Sequence, residues 1–264
     1  MAEILTKDFG QISSDVFHND SEYKRTAGYH NSIYRGKNIT AYLDDGSLWG
    51  RISGASPYTL FEDLFVGDYF VKNGITWRIA GFNYWVNAGG LTTPHAVIVP
   101  DTVLTNAQMN NTNTTAGAYY NSDFRKGNNS NTGRATAISA INAVFGSNHI
   151  LTYKDYLHSA VTDGHPSGQE WADCTVELMN EEMVYGCHIF APIGPGTSVY
   201  SNYTTSKSQL PLFQHDHSRI GNNALWWLRS VVSESYFARV NFDGCATHGS
   251  ASTSFGVRPA FGIC

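Results

Sequence analysis

The sequence predicts an α+β fold of small antiparallel sheets, two or more helices and long loops. Three observations carry this reading. Short apolar or alternating runs bounded by Asn, Gly and Pro recur from Leu64 to Pro100 and again from Ala224 to the C-terminus, as strands joined by turns do. Ala135, Ile138, Ile141, Val144 and Phe145 fall at three- and four-residue spacing, the period of a helix. Between these blocks Asn, Ser, Thr and Gly dominate, and they favour turns over regular structure.

Taken in order, residues 1–60 are polar, and Gly28, Gly36, Gly46, Gly50 and Gly54 break any period. An attachment or oligomerisation arm is expected there, ahead of a domain over 61–264. Phe65 to Phe70 and Ile75 to Ala80 read as two strands joined through Asn73-Gly74, the second extended by Phe82, Tyr84 and Trp85. His95 to Pro100 is a further strand, closed by its proline. Asn106 to Gly133 is loop, with one helical turn expected at 120–124. The helix ending at Phe145 stops at Gly146. Thr152 with Asp155 has the spacing of a capping box ahead of Tyr156 and Leu157, and Asn180 before Glu181 and Glu182 starts a short helix ending at Gly186. Ile189 and Phe190 are expected to enter a strand, and 192–217 to be loop. Three strands then close the chain: Ala224 to Ser230, Phe237 to Phe242 with Asp243-Gly244 as a hairpin turn, and Phe255 to Phe261.

Composition narrows the function. Charged residues are 15% of the 264, against about 25% in ordinary soluble chains, while aromatics reach 13%. A net charge of -5 with no Lys/Arg cluster argues against a phosphate-binding surface, so no nucleic-acid partner is expected. No stretch has the length and hydropathy to insert in a membrane, and Met1 to Gly10 lacks the apolar core of a secretory signal. A protein acting outside the cell would then leave by lysis, by a non-classical route or as part of a particle assembled in the cytoplasm, and lysis fits a virion component. Cys174, Cys187, Cys245 and Cys264 lack zinc-site spacing, and they are read as free thiols. The glycosylation-like tripeptides at Asn38, Asn110, Asn113, Asn128 and Asn202 mark polar loops.

The C-terminal block interleaves two kinds of residue. Ser235, Tyr236, Arg239, Asn241, Phe242, Asp243, Cys245, Thr247, His248, Ser250, Thr253 and Phe255 are aromatic or adaptable polar groups. Such residues suit a contact surface, because Tyr offers a large area for little lost side-chain entropy. Their neighbours, among them Val240, Gly244 and Gly256, are small or apolar and suit a frame. Trp226 and Trp227 are read as packing, and Arg229 and Arg258 as frame residues, Arg258 bonding carbonyls or a carboxylate beneath the surface. The bland alternative is that Phe242 and Phe255 belong to the core and the Ser/Thr run is a solvated loop.

The motifs W-W-L-R-S at Trp226 to Ser230 and G-V-R-P-A-F at Gly256 to Phe261 resemble those of retroelement-diversified variable proteins, many of them encoded by bacteriophages. D-L-F-V-G-D-Y-F at Asp63, I-T-W-R-I-A at Ile75 and V-E-L-M-N-E-E-M-V-Y-G at Val176 are similar to the same group. The resemblance implies a C-type lectin fold of the formylglycine-generating-enzyme type, with a variable region over about 221–261 and no cofactor. It implies a receptor-binding protein whose partner is a host cell-surface protein, working as a homo-oligomer for avidity. Family variable codons never yield Lys, Gln, Met or Trp, and Ser235 to Phe255 contains none of these.

A fixed-sequence adhesin of the same fold stays open. His215-Asp216-His217 places two histidines two apart, so that on a strand they would share a face and chelate a hydrolytic metal, yet a third ligand has no recognisable spacing. There is no G-x-S-x-G and no H-E-x-x-H. The oxidases of the implied fold need a close cysteine pair, and Cys245 and Cys264 are far apart in sequence. Calcium-dependent sugar binding lacks its E-P-N or Q-P-D signature.

Overall fold

A computed structural model describes residues 24–191, 206 and 208–264. Residues 27–53, irregular by sequence, form three short helices: α1 (Ala27–Asn31), α2 (Thr40–Asp44) and α3 (Ser47–Ser53). Helices this short show no legible period, but α3 buries Leu48 and Ile52, one turn apart, between glycine caps with φ of 77° at Gly46 and 70° at Gly54. These residues pack on the body and do not extend from it. Arg35 is forked between Asp63 and the fully buried Asp68, and Trp49 stacks on His149 at 3.6 Å. The first part of the expected arm, residues 1–23, lies outside the described residues.

The strands are β1 (Tyr69–Lys72), β2 (Ile75–Phe82), β3 (Ala96–Pro100), β4 (Thr105–Ala107), β5 (Tyr153–Thr162), β6 (His165–Cys174), β7 (Val176–Leu178), β8 (Trp226–Val231), β9 (Tyr236–Val240), β10 (Ala246–Ser250), β11 (Phe255–Val257) and β12 (Pro259–Ile263). Later helices are α4 (Asp123–Lys126), α5 (Gly133–Phe145), α6 (Glu181–Tyr185) and α7 (Pro211–His215). The fold is therefore α+β, as the sequence predicts.

One sheet runs β1-β2-β3-β12-β7, and a second runs β10-β9-β8-β11-β4. The β1–β2 turn forms as read, with φ of 53° at Asn73 and 74° at Gly74. Strands β3 and β12 are buried along their whole length, which explains their unbroken apolar runs. Helix α5 covers this sheet with Phe145, whose ring lies 5.6 Å from Trp77 and 5.5 Å from Phe261. Its stop at Gly146 and the Asn180 cap of α6, where the side chain accepts the Met183 N–H, both agree with the sequence.

Several expectations fail for identifiable reasons. No helix follows Thr152: the segment is β5, paired with β6 in a long hairpin, and Tyr153, Asp155 and Leu157 point inward at period two. The turn placed at 120–124 is α4, shifted to begin after Ser122, whose hydroxyl caps the Arg125 N–H. Strand β1 begins at Tyr69, not Phe65, and β2 ends at Phe82, before Tyr84 and Trp85. Ile189 and Phe190 lie in no strand. Within the expected loop over 192–217, residues 192–205 and 207 fall outside the description, and Pro211–His215 is α7. The final run, read as one strand, is two, because Arg258 carries the chain from the second sheet into the first.

Candidate ligand-binding surface

The frame is built on β8, buried at every residue, with Trp226 and Trp227 fully enclosed. Trp227 donates its indole N–H to the Ala107 carbonyl at 2.8 Å, and Phe255 meets it edge-on at 4.8 Å. Arg258 is 1% exposed and bonds carbonyls, as the sequence allowed: Nε to Pro100 at 2.8 Å and Nη1 to Ile220 at 3.1 Å. Its guanidinium lies over Trp226, and burial pushes its pKa down to about 10. Arg229 instead meets a carboxylate, Asp155, at 2.7 Å, both side chains being buried. Burial opposes the Arg229 charge, but Asp155 prevails and raises its pKa. Val240 and Gly256 are buried, whereas Gly244 is half-buried.

Around this frame β9 and β10 form a projecting hairpin. Its turn closes through Asn241 N–H to the Cys245 carbonyl at 2.8 Å and Gly244 N–H to the Asn241 carbonyl at 3.0 Å. Gly244 has φ 90°, a value that favours glycine, so Asp243-Gly244 does make the turn. The segment after it is a strand and no loop: β10 pairs with β9 from Ala246↔Val240 to Ser250↔Tyr236 and forms the sheet edge.

None of the twelve contact candidates is buried. Tyr236, Phe242, Asp243, Cys245, His248 and Thr253 are exposed, and Ser235, Arg239, Asn241, Thr247, Ser250 and Phe255 are half-buried. They do not form one face, however, because alternate residues of a strand point to opposite sides. Tyr236, His248 and Ser250 share one side, where the Tyr236 and His248 rings lie 4.9 Å apart. Arg239 and Thr247 share the other, where the Arg239 guanidinium sits 4.6 Å over Phe255. Phe242 and Asp243 cap the tip. A ligand touching all of them must wrap round the hairpin edge.

Sequence reasoning missed what flanks the hairpin. The carboxylate of Glu181, fully buried, accepts the backbone N–H groups of Ile189, Phe190 and Ala191 at 3.1, 3.0 and 3.0 Å. This fixes a loop whose Phe190 ring stands 5.7 Å from His248. The Asn/Thr-rich loop contributes from another side: Ser250 donates to Asn113 Oδ1 at 2.6 Å, and Thr115 bonds the carbonyls of Ser233 and Glu234 at 2.6 and 2.8 Å. No local pattern marks these neighbours, since they meet the hairpin only across the fold. A small recess of about 60 Å³ lies nearby, lined in part by Tyr156, His158, Glu182, His188 and Arg229. His188 bonds Glu182 at 2.8 Å, which raises its pKa, while burial lowers that of His158 to about 4.

His215 and His217 do not share a strand. His215 ends α7 with Nε2 2.9 Å from the Asn31 carbonyl, and His217 opens a 3-10 turn. Among the described residues no three His, Cys, Asp or Glu side chains are grouped to hold a metal ion. All four cysteines are free: Cys174 is buried, Cys187 and Cys245 are exposed and Cys264 is half-buried.

One family, described as Domain of unknown function (DUF6273), matches residues 179–264. That stretch holds the Glu181-bound loop, the frame and the whole hairpin. No curated protein and no solved structure matches the chain. No helix among the described residues is long and apolar enough to cross a membrane.

Proposed function

We propose that this chain is a ligand-binding protein, not an enzyme, whose contact surface is the β9–β10 hairpin with the loop at 189–190. The observation that carries the reading is where apolar area is left in water. Of the six large apolar side chains exposed among the described residues, Tyr236 and Phe242 lie on the hairpin and Ile189 and Phe190 on the loop beside it. Tyr236 and Phe190 both close on the His248 ring; exposed apolar groups gathered in this way mark an interaction site, and rigid aromatics among Ser, Thr and Asn are the chemistry of an adaptable contact surface. The frame beneath them is buried, so contact residues can change without disturbing it.

With the C-terminal motifs, this supports a lectin-type scaffold of the variable-protein kind, on which a phage recognises a host surface protein and several copies act together. The fixed-sequence adhesin uses the same surface and differs in whether the contact residues vary. In the test, bacterial surface proteins displayed as a library are panned against the immobilised protein. Binders should be lost by the Tyr236→Ala/Arg239→Ala/Phe242→Ala variant, while its melting temperature falls by no more than about 4 °C, as for surface substitutions. Binders retained at full affinity by that variant would sink the proposal.

A further inference from the structure

We infer that Arg239 is the anchor for a carboxylate of the protein partner, an assignment that rests on the binding surface proposed above. Arg239 stands on β9 and turns over the outer edge of β10, where its Nε donates 2.9 Å to the His248 carbonyl. Its guanidinium is propped 4.6 Å above the Phe255 ring, and that ring is braced edge-on by Trp227. Gly249 makes the room. A Cβ there would lie 2.5 Å from Phe255 Cε2 and 3.1 Å from Arg239 Cδ.

What this guanidinium lacks is an acid. Arg229 has Asp155, Arg125 and Arg134 have Glu177, and Arg78 has Asp101. Among the described residues Arg239 has no carboxylate within 4.0 Å, and partial burial lowers its pKa with nothing opposing. Its Nη1 is sealed from water without a hydrogen-bond partner. A donor left in that state is unfavourable, and a ligand acceptor that draws the group outward relieves it. Once the group turns outward, its Nη1–Nη2 edge offers two parallel N–H groups that match the coplanar oxygens of a carboxylate.

In the test, a random-peptide library is panned against the full chain, and selected peptides are resynthesised for Kd measurement. Peptides that need Tyr236 and Phe242 are expected to carry Asp or Glu. Changing that acid to its amide, or making Arg239→Gln, should each weaken binding about tenfold or more, the size of one charge-assisted pair. The two changes together should cost little more than either alone, and Arg239→Lys should recover part of the loss. The amide change leaves the protein untouched, so the assignment can be tested even if an Arg239 variant folds poorly. If peptides depend on Tyr236 and Phe242 but stay within about twofold in Kd on losing their acid, the anion assignment falls while the binding surface stands. A peptide that binds only when the acid is replaced by phosphoserine overturns the carboxylate in favour of phosphate. Peptides indifferent to Tyr236, Phe242 and Arg239 alike overturn the surface itself.

Discussion

An Asp155→Asn substitution leaves the Arg229 guanidinium enclosed beneath β8 without its counter-charge. The pair is buried on both sides, at 7% and 1% exposure, and joined at 2.7 Å. Asp155 also accepts the Ser206 hydroxyl at 2.9 Å and its neighbour's backbone N–H at 2.9 Å, so the carboxylate is the centre of a small network tying β8 to the β5–β6 hairpin. Removing one partner of a buried pair costs about 3–5 kcal/mol, since the remaining charge keeps its desolvation penalty and loses its compensation. At roughly 2–4 °C per kcal/mol for a chain of this size, the melting temperature should drop by about 6–20 °C. Urea unfolding with linear extrapolation gives the energy directly. The companion variant Arg229→Met should be similarly costly, and the double variant should lose less than the sum by about 1–3 kcal/mol. A cost for Asp155→Asn below about 1 kcal/mol, the range of a solvated pair, would refute the view that this contact is a buried strut of the frame.

Two further effects follow from local geometry. At Gly256 a Cβ would lie 2.4 Å from Val103 Cγ1 and 2.8 Å from the Leu225 carbonyl oxygen, which already accepts the Gly256 N–H at 2.8 Å. Because backbone cannot yield as a side chain can, Gly256→Ala should destabilise by about 1–3 kcal/mol in urea unfolding, and a neutral result would show that β8 and β11 are not locked there. His95 places Nε2 to accept the Trp85 N–H at 3.2 Å and sets Nδ1 2.9 Å from the Thr93 carbonyl, an arrangement satisfied by the neutral ring. Burial lowers its pKa to about 4, below the unfolded value of about 6.5. The unfolded chain therefore takes up this proton first, so the contribution is present above about pH 6.5 and is lost as pH falls towards 4, on the order of 3 kcal/mol. His95→Gln should flatten the stability profile across that window; an unchanged slope would refute the assignment to His95.

The elements legible in the sequence were those with their own local signal. The helix ending at Phe145, the Asn73-Gly74 hairpin and the Asn180 cap are each specified by residues a few positions apart. So was the distinction between a frame centred on Trp226 and Trp227 and a displayed set containing Tyr236 and Phe242, because bulky apolar residues seek burial and small polar ones tolerate water. Short helices such as α3 escaped notice, having too few residues for a period. Asp155 was misassigned for a different reason: a carboxylate three residues after Thr152 has capping-box spacing whether it caps a helix or pairs with an arginine seventy-four positions away.

For the C-terminal block, the sequence by itself determined which side chains keep some exposure to water and, Gly244 apart, which frame residues lie buried. The tertiary structure alone decided that Tyr236 and Ser250 meet across the hairpin, that Glu181 holds Phe190 beside His248, and that Arg239 lies on Phe255 with no acid in reach among the described residues. Which residues pair across strands follows from register, and the other contacts follow from how distant segments pack; neither is encoded in the spacing of neighbouring residues.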